Sequence, residues 1–340
     1  MDPNTVLPLG KLPIELLENL LLRAPVRDPR VLFGPGIGMD CAVIDTGGPN
    51  LLVMKSDPIT FATDEIGWYA VQVNANDIAT TGAAPRWLLA TLLLPEGKTT
   101  PALVERIGQQ VIGACADIGV TLVGGHTEIT HGLDRPILVG TLVGEVAREK
   151  LVTPRGARPG DRVLLTKGIP IEATAILARE FPDLLVGHLS PAEIEQATAF
   201  LKTPGISVLH DAQTALGAGR VTAMHDPTEG GLASALWELA VACQYTLHID
   251  LAAIPMSPLA ARVCRAVGID PMAAIASGAL LFTAVALDAP RIRQALGEAG
   301  ILCAEIGRVE AGPAQVWQAD GQTLPRPTRD EIARLFEEAG

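Results

Sequence analysis

Residues 73–79 read Val-Asn-Ala-Asn-Asp-Ile-Ala and lie within residues 66–80, a stretch whose apolar content and length predict an α-helix. Asn76 and Asp77 are polar residues in an otherwise apolar segment. A carboxylate buried without a cation or hydrogen-bond donors is costly, so Asp77 needs a partner if the helix packs into a core. The alternative is that Asn76 and Asp77 lie on a solvated face of an amphipathic helix.

On both sides of this helix, short apolar runs alternate with longer helical patterns. The sequence therefore predicts two α/β (α+β) layers. Residues 153–160, Thr-Pro-Arg-Gly-Ala-Arg-Pro-Gly, combine turn formers with no periodicity and predict a boundary between domains 1–152 and 153–340. The other helices are expected at residues 14–23, 101–118, 172–180, 191–201, 207–216, 232–243, 290–298 and 329–338. The strands are expected at residues 42–44, 51–54, 87–94, 121–123, 137–146, 162–166, 246–250 and 280–286.

Composition narrows the class of protein. The 340 residues include 26 Lys and Arg against 38 Asp and Glu, a net charge of −12 that argues against nucleic-acid or anionic-membrane partners. The five cysteines are widely spaced and form no Cys-x-x-Cys pair, which favours a reducing cytoplasm. The first residues do not resemble a signal peptide, and residues 88–94 are too short an apolar run to span a bilayer. We therefore expect a cytoplasmic protein with no membrane partner.

Several common catalytic signatures are absent. The sequence has no P-loop, no Gly-x-Ser-x-Gly and no His-Glu-x-x-His, and the glycines of residues 34–38 do not complete a dinucleotide fingerprint. Four Asp residues stand out instead. Asp40 follows that glycine-rich loop, Asp57 ends an apolar strand shortly after Lys55, Asp77 lies in the helix, and Asp226 precedes a helix within His-Asp-Pro-Thr-Glu-Gly-Gly (225–231).

Carboxylates flanked by apolar sequence predict a hard divalent cation, and Mg²⁺ takes oxygen ligands from a few carboxylates and from phosphate. Neighbouring glycine-rich loops would let backbone N–H groups approach phosphate oxygens. Each residue also has a simpler interpretation. Asp40 could close a turn, Asp226 could be an N-cap or a turn residue before Pro227, and His126 could be a structural histidine.

Five segments taken in order resemble the aminoimidazole-ribonucleotide (AIR) synthase superfamily, and most closely its HypE branch. They are Gly-Met-Asp-Cys-Ala-Val-Ile (38–44), Lys-Ser-Asp-Pro-Ile-Thr (55–60), Val-Asn-Ala-Asn-Asp-Ile-Ala (73–79), Val-Gly-Gly-His-Thr-Glu (123–128) and His-Asp-Pro-Thr-Glu-Gly-Gly-Leu (225–232). The resemblance implies an N-terminal ATP- and Mg²⁺-binding domain that contributes strands to the β-barrel of a homodimer, and a C-terminal α/β domain.

The resemblance also implies residue roles. It makes Asp40, Asp57, Asp77 and Asp226 the Mg²⁺ ligands, the last three of them catalytic. It places the nucleotide beside Gly38, Lys55, Asn76, Gly124, Gly125, His126 and Thr127. The implied enzyme uses ATP to phosphorylate, and so activate, an amide or carbonyl oxygen or another acceptor. That acceptor is an unidentified small molecule or a protein-carried group.

Three departures from the HypE pattern keep other functions open. HypE proteins that form the cyanide ligand of hydrogenase end in a cysteine, whereas the last cysteine here is Cys303. Met39 replaces one carboxylate of an acidic pair, and Glu229 occupies a position where HypE proteins commonly have Arg. The alternatives are a non-catalytic nucleotide-binding regulatory or assembly subunit, and a small-molecule kinase similar to thiamine-monophosphate kinase.

Overall fold

The chain folds into two compact units. The computed structural model describes residues 6–7, 9–21, 23, 25–36, 38–60 and 64–339. The first unit comprises Val26–Pro35 and Met39–Val152, and the second comprises Met1–Pro25, Gly36–Gly38 and Thr153–Gly340. The N-terminal segment thus groups with the second half of the chain, unlike the continuous domain of residues 1–152 predicted from the sequence. Lys11 shows why, because its Nζ donates to Thr228 Oγ1 at 3.4 Å within the second unit.

The first half of the chain contains the helix and strands that carry most of the predicted site. In chain order the elements are α1 (Ile14–Leu21), β1 (Val31–Phe33), β2 (Ala42–Ile44), β3 (Asn50–Ile59), α2 (Ile66–Thr80), β4 (Ala84–Pro95), α3 (Pro101–Asp117), β5 (Thr121–Thr130) and β6 (Ile137–Ala147). Helix α1 belongs to the second unit, and the other elements form the first.

The first unit is a six-stranded mixed sheet with the order β1-β2-β3-β6-β4-β5. Only the β4–β5 pair is parallel, and every other neighbouring pair is antiparallel. Helix α2 packs against β3, β6 and α3, and every residue from Tyr69 to Thr80 is buried. The helix predicted for residues 66–80 is confirmed with those bounds.

The second half of the chain builds the second unit. Its elements are β7 (Arg162–Thr166), α4 (Ile171–Glu180), α5 (Pro182–Leu185), α6 (Pro191–Thr198), α7 (Leu209–Ala218), β8 (Val221–His225), α8 (Gly231–Cys243), β9 (Thr246–Ile249), α9 (Pro258–Val267), β10 (Leu281–Ala284), α10 (Ala289–Glu298), β11 (Cys303–Glu310), β12 (Gln315–Gln318) and α11 (Glu331–Ala339). Short 3₁₀ helices occur at Arg148–Lys150, Pro154–Gly156, Ala199–Leu201 and Leu251–Ala253.

A second six-stranded mixed sheet organises this unit, with the order β12-β9-β11-β7-β10-β8. The β12–β9 pair is parallel and the others are antiparallel. Helix α8 packs its apolar residues against the sheet, and Leu236, Leu247 and Ile306 lie in one buried cluster. Two mixed sheets with helices confirm the predicted two-domain α/β class. None of the described helices has both the length and the hydropathy needed to cross a membrane.

Candidate functional site

Two charged residues of strand β3, Lys55 and Asp57, lie on the side of the first sheet that faces α2. Alternate residues of a strand share a face, and on β3 the buried Leu51 and Val53 lie on the same face as Lys55 and Asp57. The change from apolar to charged residues therefore occurs along one face. Because α2 packs against β3, the end of this face brings Lys55 and Asp57 to the helix that carries Asp77.

Lys55 joins the two carboxylates. Its Nζ lies 3.2 Å from Asp57 Oδ2 and 3.1 Å from Asp77 Oδ2. The Asp77 side chain is only 3% exposed, whereas that of Asp57 is 32% exposed. Lys55 therefore supplies the partner that a buried Asp77 requires, and Asp57 leaves part of its carboxylate open to solvent.

Asn74, one turn before Asp77, fixes the backbone at Asp57. The side-chain Oδ1 of Asn74 accepts a hydrogen bond from the Asp57 N–H at 3.0 Å, and its Nδ2 donates to Ala70 O at 2.8 Å. A Cβ at Gly140, which pairs with Asp57 on β6, would lie 2.5 Å from Asn74 Nδ2. Glycine at position 140 therefore leaves space for the Asn74 side chain, whose amide hydrogen-bonds to the Asp57 backbone.

The solvated-face interpretation of Asn76 and Asp77 is wrong, because these residues are 0% and 2% exposed. Helix α2 is buried around its circumference, so its polar side chains face protein atoms. Asn74, which the sequence interpretation left without a role, belongs to the same buried polar stripe. Its position in the Val-Asn-Ala-Asn-Asp segment was the available signal.

Around Lys55 the negative charges of carboxylates outnumber the single positive charge of the lysine. Burial lowers the pKa of Lys55, but Asp77, Asp57 and Asp40 together hold that pKa well above its ordinary value. These three carboxylates and one ammonium group carry a formal excess of negative charge. Carboxylate oxygens with such an excess suit a hard divalent cation such as Mg²⁺, so the residues present fit the metal that the sequence predicts. Below, Lys55, Asp57 and Asp77 are called the Lys55 cluster.

Asp40 and Gly38 lie close in sequence but in different units. Asp40, in the first unit, is partly exposed and acts on the Lys55 cluster through its charge. Gly38, in the second unit, has φ +66°, and a Cβ there would lie 2.8 Å from Glu238 O. The glycine is thus required by its backbone conformation and by the close approach to α8.

Asp226 follows β8 in the second unit and is 1% exposed. The preceding His225 is also buried, and its Nε2 lies 2.7 Å from Glu238 Oε2 on α8. The helix-cap interpretation of Asp226 is wrong, because Gly230 occupies the N-cap of α8.

The segment Gly124–Thr127 lies on β5, whose residues are exposed up to Ile129. Gly125 has φ +148°, and a Cβ there would lie 1.8 Å from Ala90 O, so the pairing with β4 requires glycine. His126 is 65% exposed and its Nε2 lies 3.3 Å from Glu128 Oε2. The close approach to Ala90 thus explains the glycine at position 125, and His126 and Thr127 are exposed on an edge strand.

Two polar clusters in the second unit were not predicted from the sequence. Lys167 has the left-handed φ of 56° and its Nζ lies 3.3 Å from Asp211 Oδ1. The other contains Glu172, a fully buried carboxyl group on the first turn of α4. A Glu within the apolar pattern of residues 169–178 was the signal for the second cluster, whereas no sequence signal marks the left-handed Lys167.

Comparisons with known proteins give concordant results. The N-terminal domain of AIR synthase related protein matches residues 38–146, and the C-terminal domain of the same family matches residues 158–319. Carbamoyl dehydratase HypE of Cupriavidus necator is 32% identical over 256 residues, which cover 72% of this chain and 68% of that protein.

Two solved structures share the fold. The hydrogenase maturation protein HypE in complex with ATP has a TM-score of 0.71 and 24% identity, covering 94% of this chain and 96% of its own. AaThiL complexed with AMPPCP and TMP also has a TM-score of 0.71, with 22% identity and coverages of 93% and 95%. At these identities the two structures establish the fold and leave the reaction open.

Proposed function

Because the chain belongs to the AIR synthase-related protein family, we propose that it is an ATP- and Mg²⁺-dependent enzyme that phosphorylates an acceptor. The acceptor is an amide or carbonyl oxygen, or another small-molecule or protein-carried group. The observation that carries the proposal is the Lys55 cluster, in which one ammonium group is held between a buried and a half-buried carboxylate. The names of the relatives, carbamoyl dehydratase HypE and a HypE bound to ATP, support the same class of reaction.

In this proposal Asp40, Asp57 and Asp77 of the first unit would hold Mg²⁺, and the family resemblance implies a Mg²⁺-ligand role for Asp226 as well. Bound Mg²⁺ would neutralise phosphate charge, which is the main requirement of phosphoryl transfer. Asp57 offers an accessible oxygen, while Asn74 fixes the position of its backbone. Lys55 keeps its proton, because its pKa is well above the ordinary value, and so remains a cation that can contact phosphate.

For the nucleotide, we propose the contacts that the family resemblance implies. Gly124, Gly125, His126 and Thr127 of the first unit would line the pocket, and the resemblance implies nucleotide-binding roles for Gly38 and Asn76 as well. The exposure of His126 and Thr127 on β5 supports this part of the proposal, because both side chains are open to a ligand. The buried Asn76 would act from within α2 by supporting the neighbouring Asp77.

Calorimetric titration of ATP with and without Mg²⁺ tests the proposal. Asp77→Asn keeps the shape of the buried side chain and removes its charge, so we expect Mg²⁺-dependent ATP affinity to fall at least about tenfold, the loss of one charge-assisted contact. Asp117→Asn is the matched control, since Asp117 is an exposed residue of the same unit. Equal affinities for the two variants, or ATP binding that ignores Mg²⁺, would contradict the proposal.

Product analysis separates the proposed enzyme from its alternatives. Phosphorus NMR of ATP incubated with amide, carboxylate and alcohol acceptors should show ADP and acceptor-dependent phosphate transfer or release. Stable phosphate on an alcohol or phosphate ester would instead indicate a kinase similar to thiamine-monophosphate kinase. Tight Mg·ATP binding without turnover on any acceptor would favour the non-catalytic regulatory or assembly subunit.

We also propose that the protein is a homodimer formed through β4 and β5. Trp87, Leu89, Val123 and Ile129 on these strands are 38–59% exposed within one chain, an unusual concentration of large apolar side chains on a surface. A second copy would cover this face and complete the β-barrel that the family resemblance implies. Analytical ultracentrifugation should show a dimer that Val123→Glu converts to monomer, and a wild-type monomer at micromolar concentration would contradict it.

A further inference from the structure

The side chain of Asn74 bonds to both polar backbone groups of Asp57. The Asp57 N–H donates to Asn74 Oδ1 at 3.0 Å, and Asn74 Nδ2 donates to Asp57 O at 3.4 Å. The same Nδ2 donates to Ala70 O at 2.8 Å within α2. Asn74 is 0% exposed, so solvent does not compete for these hydrogen bonds. One buried amide therefore joins the strand residue to the helix.

This contact lies beyond the end of one strand pairing. Among the described residues, β2 pairs with residues 52–54 of β3, whereas β6 pairs with residues 50–59. Asp57 is thus outside the pairing with β2. The Asn74 amide, which has both a donor and an acceptor, bonds to the Asp57 backbone as a neighbouring strand would.

The neighbours of Asp57 on β3 are restrained as well. Ser56 Oγ donates to Gly140 O at 3.1 Å on β6. Lys55 Nζ lies 3.2 Å from Asp57 Oδ2. Asp57 is therefore held at its backbone by Asn74 and at one carboxylate oxygen by Lys55, although its side chain is open to solvent on one side.

A restrained carboxylate affects divalent cations of different size unequally. Mg²⁺ requires near-ideal octahedral geometry and binds few carboxylates, with ligands at about 2.0–2.1 Å. Ca²⁺ takes about six to eight oxygens at about 2.3–2.6 Å in flexible arrangements, and often uses both oxygens of a carboxylate. Because Lys55 contacts Oδ2, Asp57 could give both oxygens to one ion only by moving away from Lys55. The restraint on Asp57 therefore favours the smaller ion.

We propose that Asn74 is a positioning residue that makes the Lys55 cluster selective for Mg²⁺ over Ca²⁺. By fixing the Asp57 backbone, it prevents the carboxylate from turning both oxygens to a larger ion. Gly140 belongs to this arrangement, because a Cβ there would lie 2.5 Å from Asn74 Nδ2. The inference rests on the proposed function, since it names the origin of ion selectivity at the Mg²⁺ site of that proposal.

Competition with Mn²⁺, monitored by electron paramagnetic resonance of the full chain without nucleotide, measures the affinities of Mg²⁺ and Ca²⁺. The wild type should bind Mg²⁺ at least about fivefold more tightly than Ca²⁺, and Asn74→Ala should reduce this ratio to about twofold or less, a change of the size of one hydrogen bond. Gly140→Ala should have the same effect, because its methyl group displaces the Asn74 amide. It replaces the first variant if Asn74→Ala does not fold.

Gln110→Ala, on α3, is the matched control. The Gln110 side chain also bonds to two backbone groups of the chain around the start of α2. It accepts from the Gly67 N–H at 3.1 Å and donates to Asp64 O at 2.8 Å. Loss of these hydrogen bonds should loosen the same helix but leave the ratio of Mg²⁺ to Ca²⁺ affinity at its wild-type value, because they do not involve Asp57.

Equal affinities of the wild type for Mg²⁺ and Ca²⁺, an unchanged ratio in Asn74→Ala, or an equal fall in Gln110→Ala would overturn this inference. Calorimetry of ATP with Mg²⁺ on the same samples keeps the inference separate from the proposed function. A metal ratio that depends on Asn74 without any ATP binding refutes the phosphorylation proposal alone. Mg²⁺-dependent ATP binding with a ratio that does not depend on Asn74 refutes the ion selectivity alone.

Discussion

Lys55 and Lys167 are both buried lysines that form ion pairs, yet their pKa values shift in opposite directions. Burial lowers the pKa of both ammonium groups, and near Lys167 the carboxylate of Asp211 does not reverse this effect. Near Lys55 the carboxylates of Asp77, Asp57 and Asp40 reverse it and raise the pKa. The comparison shows that the number of carboxylates, rather than burial alone, separates a structural ion pair from a site with spare negative charge.

The surroundings of the two lysines agree with this distinction. Lys167 Nζ also donates to Ser207 O at 2.6 Å, and Thr166 Oγ1 donates to Asp211 Oδ2 at 2.6 Å, so local groups satisfy this pair. In the Lys55 cluster the Asp57 carboxylate is partly exposed, with 32% of its side chain open to solvent. We therefore interpret the Lys167 pair as a structural element and the Lys55 cluster as a binding site.

The largest expected effect is at the Lys167 pair. Among the described residues, Asp211 is the carboxylate within salt-bridge distance of Lys167. Asp211→Ala leaves a buried ammonium group uncompensated, which should reduce the free energy of unfolding by about 3–5 kcal/mol. Urea denaturation monitored by circular dichroism measures this loss of unfolding free energy. Asp183→Ala, at an exposed position of the same unit, should change that free energy by less than about 0.5 kcal/mol. A comparable loss of unfolding free energy in Asp211→Ala and Asp183→Ala would show that the Lys167 pair is not a structural element.

Lys55→Met should destabilise the protein less, by about 2–4 kcal/mol, because Asp57 is partly solvated while Asp77 remains buried and loses its ammonium partner. Millimolar Mg²⁺ should recover part of this loss, since a cation that binds only the folded state stabilises it. Thermal denaturation with and without Mg²⁺ measures both effects. Mg²⁺ should not recover the stability of Asp211→Ala, and recovery there would remove the metal-binding interpretation of the Lys55 cluster.

A third prediction extends the comparison to carboxyl groups. The pKa of Glu172 is about 7 in the folded protein against 4.5 ordinarily, so folding favours its protonated form. The resulting stability is full below about pH 4.5 and is lost as the pH rises through about 7. Between about pH 5 and pH 8, the wild type should lose about 2–3 kcal/mol more unfolding free energy than Glu172→Gln.

Chemical denaturation at several pH values measures this difference. Asp330, with a pKa of about 6, remains in Glu172→Gln, so the variant should retain a smaller fall in stability of the same sign. Glu195→Gln should follow the wild-type curve. Parallel curves for wild type and Glu172→Gln would show that folding does not change the protonation of Glu172. Glu172 would then be a structural group, like Lys167.

The sequence predicted the elements whose pattern is local. The bounds of the helix at residues 66–80 match the structure, because a continuous apolar run followed by Gly82 determines them. Strand β5 was predicted to end at Val123 but extends to Thr130. Pairing with β4 keeps residues 124–130 extended. This tertiary contact has no local signal in the sequence.

The site residues likewise differ in whether local sequence spacing or tertiary packing brings them together. The Lys55 cluster was foreseeable because Lys55 and Asp57 are two residues apart on one strand and the family resemblance supplied Asp77. The charges that act on Glu172 come from residues 226, 229 and 330, which no spacing rule relates to residue 172. Asn74 was overlooked for a similar reason, since its hydrogen bond to Asp57 depends on how α2 packs on β3.

The smallest expected effect concerns His126, whose contact with Glu128 is exposed on β5. Exposed pairs contribute about 0–1 kcal/mol, so His126→Gln should change the free energy of unfolding by less than about 0.5 kcal/mol. If the ring contacts ATP as we propose, Mg·ATP affinity should nevertheless fall about two- to tenfold, the value of one hydrogen bond. Glu128→Gln removes the carboxylate of this contact but keeps the ring, so it should retain that affinity. Equal ATP affinity in the two variants would make His126 a surface residue without a nucleotide contact, and the proposed nucleotide site would then lose its β5 side chain.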